Sequence, residues 1–159
     1  MTEAELRERA LAYLARYATT RQGLIRALDR RAGPEGRAAV RAVVDGLMAK
    51  GLVDDAAFAR LRAERLVREG RSRMAVAAHL AARGVDSATA RVVLPEDDFG
   101  AALVLTRKRR IGPFRTGDGD AKRELGVLAR AGFSQAVAER ALGMEREAAE
   151  DAIRALRGP

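Results

Sequence analysis

One short pattern occurs twice in register along this chain, as Leu80-x3-Gly84-Val85 and as Leu128-x3-Gly132-Phe133, 48 residues apart. A related stretch from Thr20 through Leu28 to Gly33 carries one extra residue before its glycine. In each, a run of apolar residues at helical spacing ends on a glycine that can turn the chain, because glycine alone enters the left-handed region without penalty. A recurrence near 50 residues is the mark of stacked helical repeats, each unit using its neighbour to complete a core.

The apolar residues between these marks recur at intervals of three and four, and no segment sustains the period of two that a strand requires. The first copy begins with a helix carrying Leu6, Ala10, Tyr13, Leu14 and Tyr17 as one stripe and ending near Ala18. Thr20 then caps a short helix through Leu24, Ile25 and Leu28, since its hydroxyl can accept from an orphan amide of the first turn. Gly33-Pro34-Glu35-Gly36 breaks that helix, and a third runs from Arg37 with Val40, Val43, Val44, Leu47 and Met48 on one face until Gly51. The second copy repeats the plan: a helix over Asp55 to Glu69 with Phe58 and Leu61 inward, a cap at Ser72 before Val76, Ala77 and Leu80, and a helix over Ala88 to Val93. The third uses Phe99, Ala102 and Leu103, then a cap at Asp120 before Leu125 and Leu128, then Val137, Ala138, Ala141 and Leu142. A last helix over Glu145 to Leu156 caps the array through Ala149, Ala152, Ile153 and Leu156. The expectation is an all-α, elongated, monomeric array of three tandem three-helix, helix-turn-helix-like repeats over 1–51, 52–95 and 96–143, closed by a C-terminal helix over 144–159.

Composition removes much of enzymology. The chain has no cysteine and a single histidine, His79, so it offers no thiol nucleophile, no disulfide and no multi-His zinc site. Asp54-Asp55 is the most site-like pair, and at the start of a helix its carboxylates serve the orphan amides and the positive end of the helix dipole. Asp118-Gly119-Asp120 fails as a calcium loop, because Lys122 falls at a ligand position and Ala129 where the bidentate Glu belongs. Gly112, Gly117 and Gly119 do not spell a phosphate-binding loop, which ends Gly-Lys-Ser/Thr. No catalytic residue, metal ligand or cofactor is expected. No stretch approaches 18 apolar residues and the acidic opening lacks a secretory pattern, so the expected place of the chain is the cytoplasm, with no membrane partner.

Charge points instead to a polyanion. Thirty Lys and Arg against 22 Asp and Glu leave a net +8, spread as +3, +3 and +2 over residues 1–54, 55–96 and 97–159. An evenly basic array suits a long anionic track better than one compact operator, although cations can also merely solvate helix faces. Two islands stand out. Arg107, Lys108, Arg109 and Arg110, with Arg115 close behind, contain no acid and end a helix, where cations also complement the dipole. Arg62, Arg65, Arg68 and Arg71 follow one another at intervals of three, a stripe that a helix face can present to phosphates. The six aromatics, Tyr13, Tyr17, Phe58, Phe99, Phe114 and Phe133, do not interleave with basic residues along a strand-like run, which argues against a base-stacking sheet.

Gly51-Leu52-Val53-Asp54-Asp55-Ala56-Ala57-Phe58-Ala59 resembles the signature of the RecX family, regulators of the RecA recombinase. The turns Arg83-Gly84-Val85 and Ala131-Gly132-Phe133-Ser134 and the linker Arg109-Arg110-Ile111-Gly112-Pro113-Phe114-Arg115 agree with it in order and spacing, so the resemblance spans roughly residues 6–142. The chain departs from the family at Thr19-Thr20-Arg21-Gln22-Gly23-Leu24, where Ser followed by Glu-Leu is common. The resemblance implies three tandem three-helix repeats in a non-enzymatic protein. Its partner would be the RecA-DNA filament, bound along the groove so that recombinase activity in recombination, repair and the SOS response is inhibited or limited. Weak, salt-dependent contact with single- and double-stranded DNA backbone accompanies that reading. A helix-turn-helix repressor is the alternative, because a three-helix unit with a glycine turn is also that plan. A scaffold that binds other proteins is a third. The repressor is poorly served by its recognition helices, which offer only Arg91 in one and Gln135 and Arg140 in the other as long polar readers.

Overall fold

Short polar side chains start most of the helices of this protein. In the computed structural model, which describes residues 1–158, ten α-helices follow one another: α1 Glu3–Leu14, α2 Arg21–Ala32, α3 Arg37–Ala49, α4 Asp55–Arg68, α5 Arg73–Ala82, α6 Ser87–Val93, α7 Phe99–Arg109, α8 Ala121–Arg130, α9 Gln135–Leu142 and α10 Arg146–Ala155. Single 3-10 turns lie at Pro34–Gly36 and Gly112–Phe114, and the described residues contain no strand. Thr20 Oγ1 accepts from the Gly23 amide, Ser72 Oγ from Ala75 and Asp120 from Arg123, so these caps stand at the start of the second helix in each three-helix repeat, and Ser134 caps α9 by accepting from Val137. Thr2 and Glu5 add a reciprocal capping box at the start of α1.

The helices pack as two compact units, residues 1–61 with 80–92, and residues 62–79 with the chain from 93 onward, so the middle repeat contributes to both. In the first unit Leu6 and Ala10 of α1, Leu24, Ile25 and Leu28 of α2, and Val40, Val43, Val44 and Leu47 of α3 form one core with Val53. In the second, α7 is buried almost all round: Phe99, Ala101, Ala102, Leu103, Val104 and Thr106 lie among Leu128, Phe133, Ala138, Ala141, Ala149 and Ile153. A helix apolar on every side is a core helix. Its cations are therefore confined to its C-terminal end, where Arg107, Lys108, Arg109 and Arg110 emerge exposed.

Each unit contains one copy of the same joint between successive repeats. In the first, the Thr20 hydroxyl donates to the Arg83 carbonyl and the Arg21 amide donates to Asp55 Oδ1 at 2.8 Å. In the second, the Ser72 hydroxyl donates to the Ala131 carbonyl and the Arg73 amide donates to Asp98 Oδ2, both at 2.8 Å. The two repeat glycines close these joints. Gly84 lies at φ +81 against Gln22, and Gly132 at φ +94, where a Cβ would come within 2.7 Å of Ser72 Oγ. Both positions need the left-handed backbone and the missing side chain together.

Three sequence expectations are corrected. Leu61 is 60% exposed rather than inward, because Ala59, Ala63 and Leu66 carry the buried stripe of α4 and Leu61 lies about 200° round the helix from both alanines. Tyr17 lies outside the core, 56% exposed, because α1 proper ends at Leu14 and Tyr17 is held back on Tyr13, its amide donating to the Tyr13 carbonyl and its ring resting near the Tyr13 ring. Asp54 Oδ1 caps its own helix by accepting from Ala57, but Asp55 serves α2 instead, through the Arg21 amide.

Candidate nucleic-acid interface

Within the second unit the C-terminal ends of three helices, α4, α7 and α8, meet at one groove. Its walls are Glu69, Arg71, Leu105, Lys108, Arg130 and Ala131, around a volume of about 420 Å³. A smaller cleft of about 230 Å³ shares Leu105, Arg130 and Ala131 and adds Arg109. The structure thus brings one end of each basic island together. Arg71 comes from the island that begins at Arg62, Lys108 and Arg109 from the one that begins at Arg107, and Arg130, which no run of charge announces in the sequence, joins them as the last residue of α8. The carbonyls that close three helices carry partial negative charge, which favours cations here before any ligand arrives. Lys108 answers one of them directly, donating through Nζ to the Glu69 carbonyl.

The lone acid of the groove is neutralised in place. Glu69 accepts from Arg65 Nε at 2.8 Å, and that bond, with the charges of Arg65, Lys108 and Arg71, holds its carboxyl below the usual carboxylate range against a smaller opposing effect of burial. Arg71, Arg109 and Arg130 are exposed, and their guanidinium groups make no hydrogen bond or salt bridge among the described residues. Donors spaced along such a groove suit phosphate oxygens, which position a strand without reading it.

The remaining candidate cations are dispersed. Residues three apart fall about 60° short of a full turn at each step, so Arg62, Arg65 and Arg68 spread over about 120° of the α4 surface. Arg62 Nη1 lies 3.0 Å from His79 Nε2, and Arg68 lines another cleft with Val67, Leu156 and Arg157. Arg107 and Arg110 are exposed beside the groove's Lys108 and Arg109 but do not line it.

Arg115, grouped by the sequence with that island, is turned onto a buried carboxylate. Its Nε donates to Glu124 Oε1 at 3.0 Å and its Nη2 to Oε2 at 2.5 Å, while the Gly112 amide also donates to Oε1 at 2.8 Å. Glu124 is 1% exposed, and the Arg115 guanidinium, ahead of the Gly112 amide, keeps its carboxyl below the ordinary range although burial pushes the other way. This clamp fixes the turn that follows the island beginning at Arg107, and a guanidinium fork spent on it has little left for a phosphate.

Two of the three long polar side chains that a duplex-reading helix could use are engaged too, while Arg91 is exposed. Gln135 Nε2 donates to Glu139 Oε1 at 2.9 Å, and the Arg140 guanidinium stands 3.8 Å above the Phe99 ring and 3.7 Å from Asp97. Among the described residues no group of three or more His, Cys, Asp or Glu is placed to hold a metal ion, and no helix is long and apolar enough to cross a membrane.

Comparison with known proteins places the chain in a family context. The family model described as RecX, second three-helix domain, matches residues 54–94. A "Regulatory protein RecX" of Myxococcus xanthus is 39% identical, the match covering 86% of this chain and 83% of that one. Another, of Thermobifida fusca, is 36% identical over 91% of this chain and 80% of its own length. A crystal structure of regulatory protein RecX superposes with a TM-score of 0.72 over 87% of this chain and 70% of that chain, at 21% identity, which speaks to the fold.

Proposed function

Since the chain belongs to the RecX family of regulatory proteins, we propose that it is a non-enzymatic regulator of the RecA recombinase filament that rests its second-unit groove on the DNA backbone. The observation that carries this reading is the convergence of Arg71, Lys108 and Arg130 from three helix ends around one ion-paired carboxylate, with Arg109 in the adjoining cleft. A cationic groove without base-reading side chains follows any sequence, as a protein acting along a filament must. Bound there, the protein occupies the backbone track on which the recombinase works, and it limits filament growth or activity by occupancy rather than by chemistry. Its place of action is then the cytoplasm, where that filament forms.

The test is a salt titration of binding to recombinase filaments on single-stranded DNA with nucleotide present. Each phosphate contact contributes about 0.7–0.9 to the slope of log affinity against log salt, so alanine at Arg71, Lys108, Arg109 and Arg130 should flatten it by roughly three. Alanine at the scattered Arg7, Arg37, Arg60 and Arg91 removes the same formal charge and should lower affinity only through long-range steering. Equal loss in both sets would reduce the groove to net charge. Undiminished filament binding in the groove variant would remove the reading.

A further inference from the structure

The first unit holds a second basic groove, of about 670 Å³, between α1 and α2. Arg9, Tyr13, Arg16 and Tyr17 face it from α1 and the turn that follows, and Arg30 and Arg31 from the last turn of α2, with no acid among its lining residues. It contains both tyrosines of the chain. Tyr13 is half-buried against the core of the unit, and Tyr17 leans on it with ring centroids 4.9 Å apart at 45° while remaining 56% exposed. A rigid aromatic base thus supports an aromatic face open to solvent, with guanidinium groups around it. Arg30 Nε is bound to the Arg26 carbonyl, and the guanidinium groups of Arg9, Arg16 and Arg31 make no hydrogen bond or salt bridge among the described residues.

We propose that this groove is a stacking site for single-stranded nucleic acid, in which an unpaired base lies on Tyr17 and the flanking phosphates fall to Arg9, Arg16, Arg30 and Arg31. A duplex buries its base faces and can offer the groove only phosphates, and an acidic peptide lacks the flat ring that Tyr17 is placed to receive. Stacking also tolerates any base, because every base has a π-face. The spacing that hid this site is helical in sequence: Arg9, Tyr13, Arg16 and Tyr17 stand at positions i, i+4, i+7 and i+8, the first two on α1 and the last two in the turn that follows it, so aromatic and basic residues interleave without a strand. The site shares no residue with the groove of the second unit, and it stands or falls separately.

The chain lacks tryptophan, so its intrinsic emission reports Tyr13 and Tyr17 alone. Titrating the full-length protein with oligothymidylate should quench that emission, while an abasic oligomer with the same number of phosphates and a duplex of the same length should not. Tyr17→Phe should keep the affinity for oligothymidylate, and Tyr17→Ala should lose roughly five-fold or more. Arg16→Ala with Arg31→Ala should flatten the salt slope by about 1.4. The quenching should persist when Arg71, Lys108 and Arg130 are replaced by alanine. Equal quenching by the abasic oligomer, by the duplex or by polyglutamate would overturn the proposal. So would binding of thymidylate that leaves the emission unmoved, or quenching that vanishes with the second-unit cations.

Discussion

At the scale of single residues, Glu124 is the most consequential polar side chain, since it satisfies Gly112 and Arg115 from a position closed to water. Its carboxyl is held below the ordinary value of about 4.3, so it binds protons less readily folded than unfolded. The stability it contributes is therefore complete above that ordinary value and is lost as the pH falls through the lower folded one. Glu124→Gln should cost about 1–3 kcal/mol at neutral pH, because Arg115 can recover water while the Gly112 amide keeps only a weaker acceptor. The gap to the parent should close in acid, which urea unfolding across a pH series would show; a gap that widened there would contradict the clamp. Arg110 poses a different question, as a non-glycine residue at φ 54 in the left-handed cap of α7. Arg110→Gly should gain about 1 kcal/mol of stability and, because Arg110 lies outside the groove, should leave the salt slope of filament binding unchanged. A flattened slope would place it among the contacts.

At the scale of elements, the joint between repeats explains why small hydroxyl and glycine residues recur. Ser72 and Thr20 each do two things at once, accepting from their own helix and donating to a carbonyl of the next repeat. Ser72→Ala should therefore cost about 1–2 kcal/mol, more than a surface cap alone, because a cap and a tertiary bond go together. The glycines supply a sharper contrast. Gly132→Ala meets Ser72 Oγ at 2.7 Å with a left-handed backbone and should destabilise, whereas Gly126→Ala sits inside α8 near the mobile end of Arg130 and should gain about 0.5–1 kcal/mol. Thermal unfolding of both variants decides the matter, and equal effects would mean that the joint tolerates a Cβ. Legibility was uneven at this scale. Caps at Thr20, Ser72 and Asp120 can be read because the hydroxyl or carboxyl and the amide it serves lie three residues apart. The partners of Asp55 and Asp98 cannot, because they lie 34 and 25 residues away.

At the scale of the whole molecule, a net +8 with Gln135 and Arg140 engaged and Arg91 left as a single long polar reader should bind duplexes mainly by charge. Competition between unrelated duplexes of equal length should then show affinities within a few-fold of one another, falling together as salt rises; a preferred duplex would restore the repressor reading. The all-helical repeat plan, the caps and most buried stripes were determined by the sequence itself, because spacing of three and four, hydroxyl caps and glycine turns act between near neighbours. Leu61 escaped that logic, since an isolated leucine says nothing of which face the alanines beside it will bury. The sites were decided by tertiary structure. Arg130 reaches Arg71 and Lys108 only because three helix ends meet, Arg115 leaves its island only because Glu124 is buried beside it, and Tyr17 becomes a surface only because α1 ends a turn before it. Local rules place a residue on its own helix, and only the packing of helices far apart in sequence chooses what it faces.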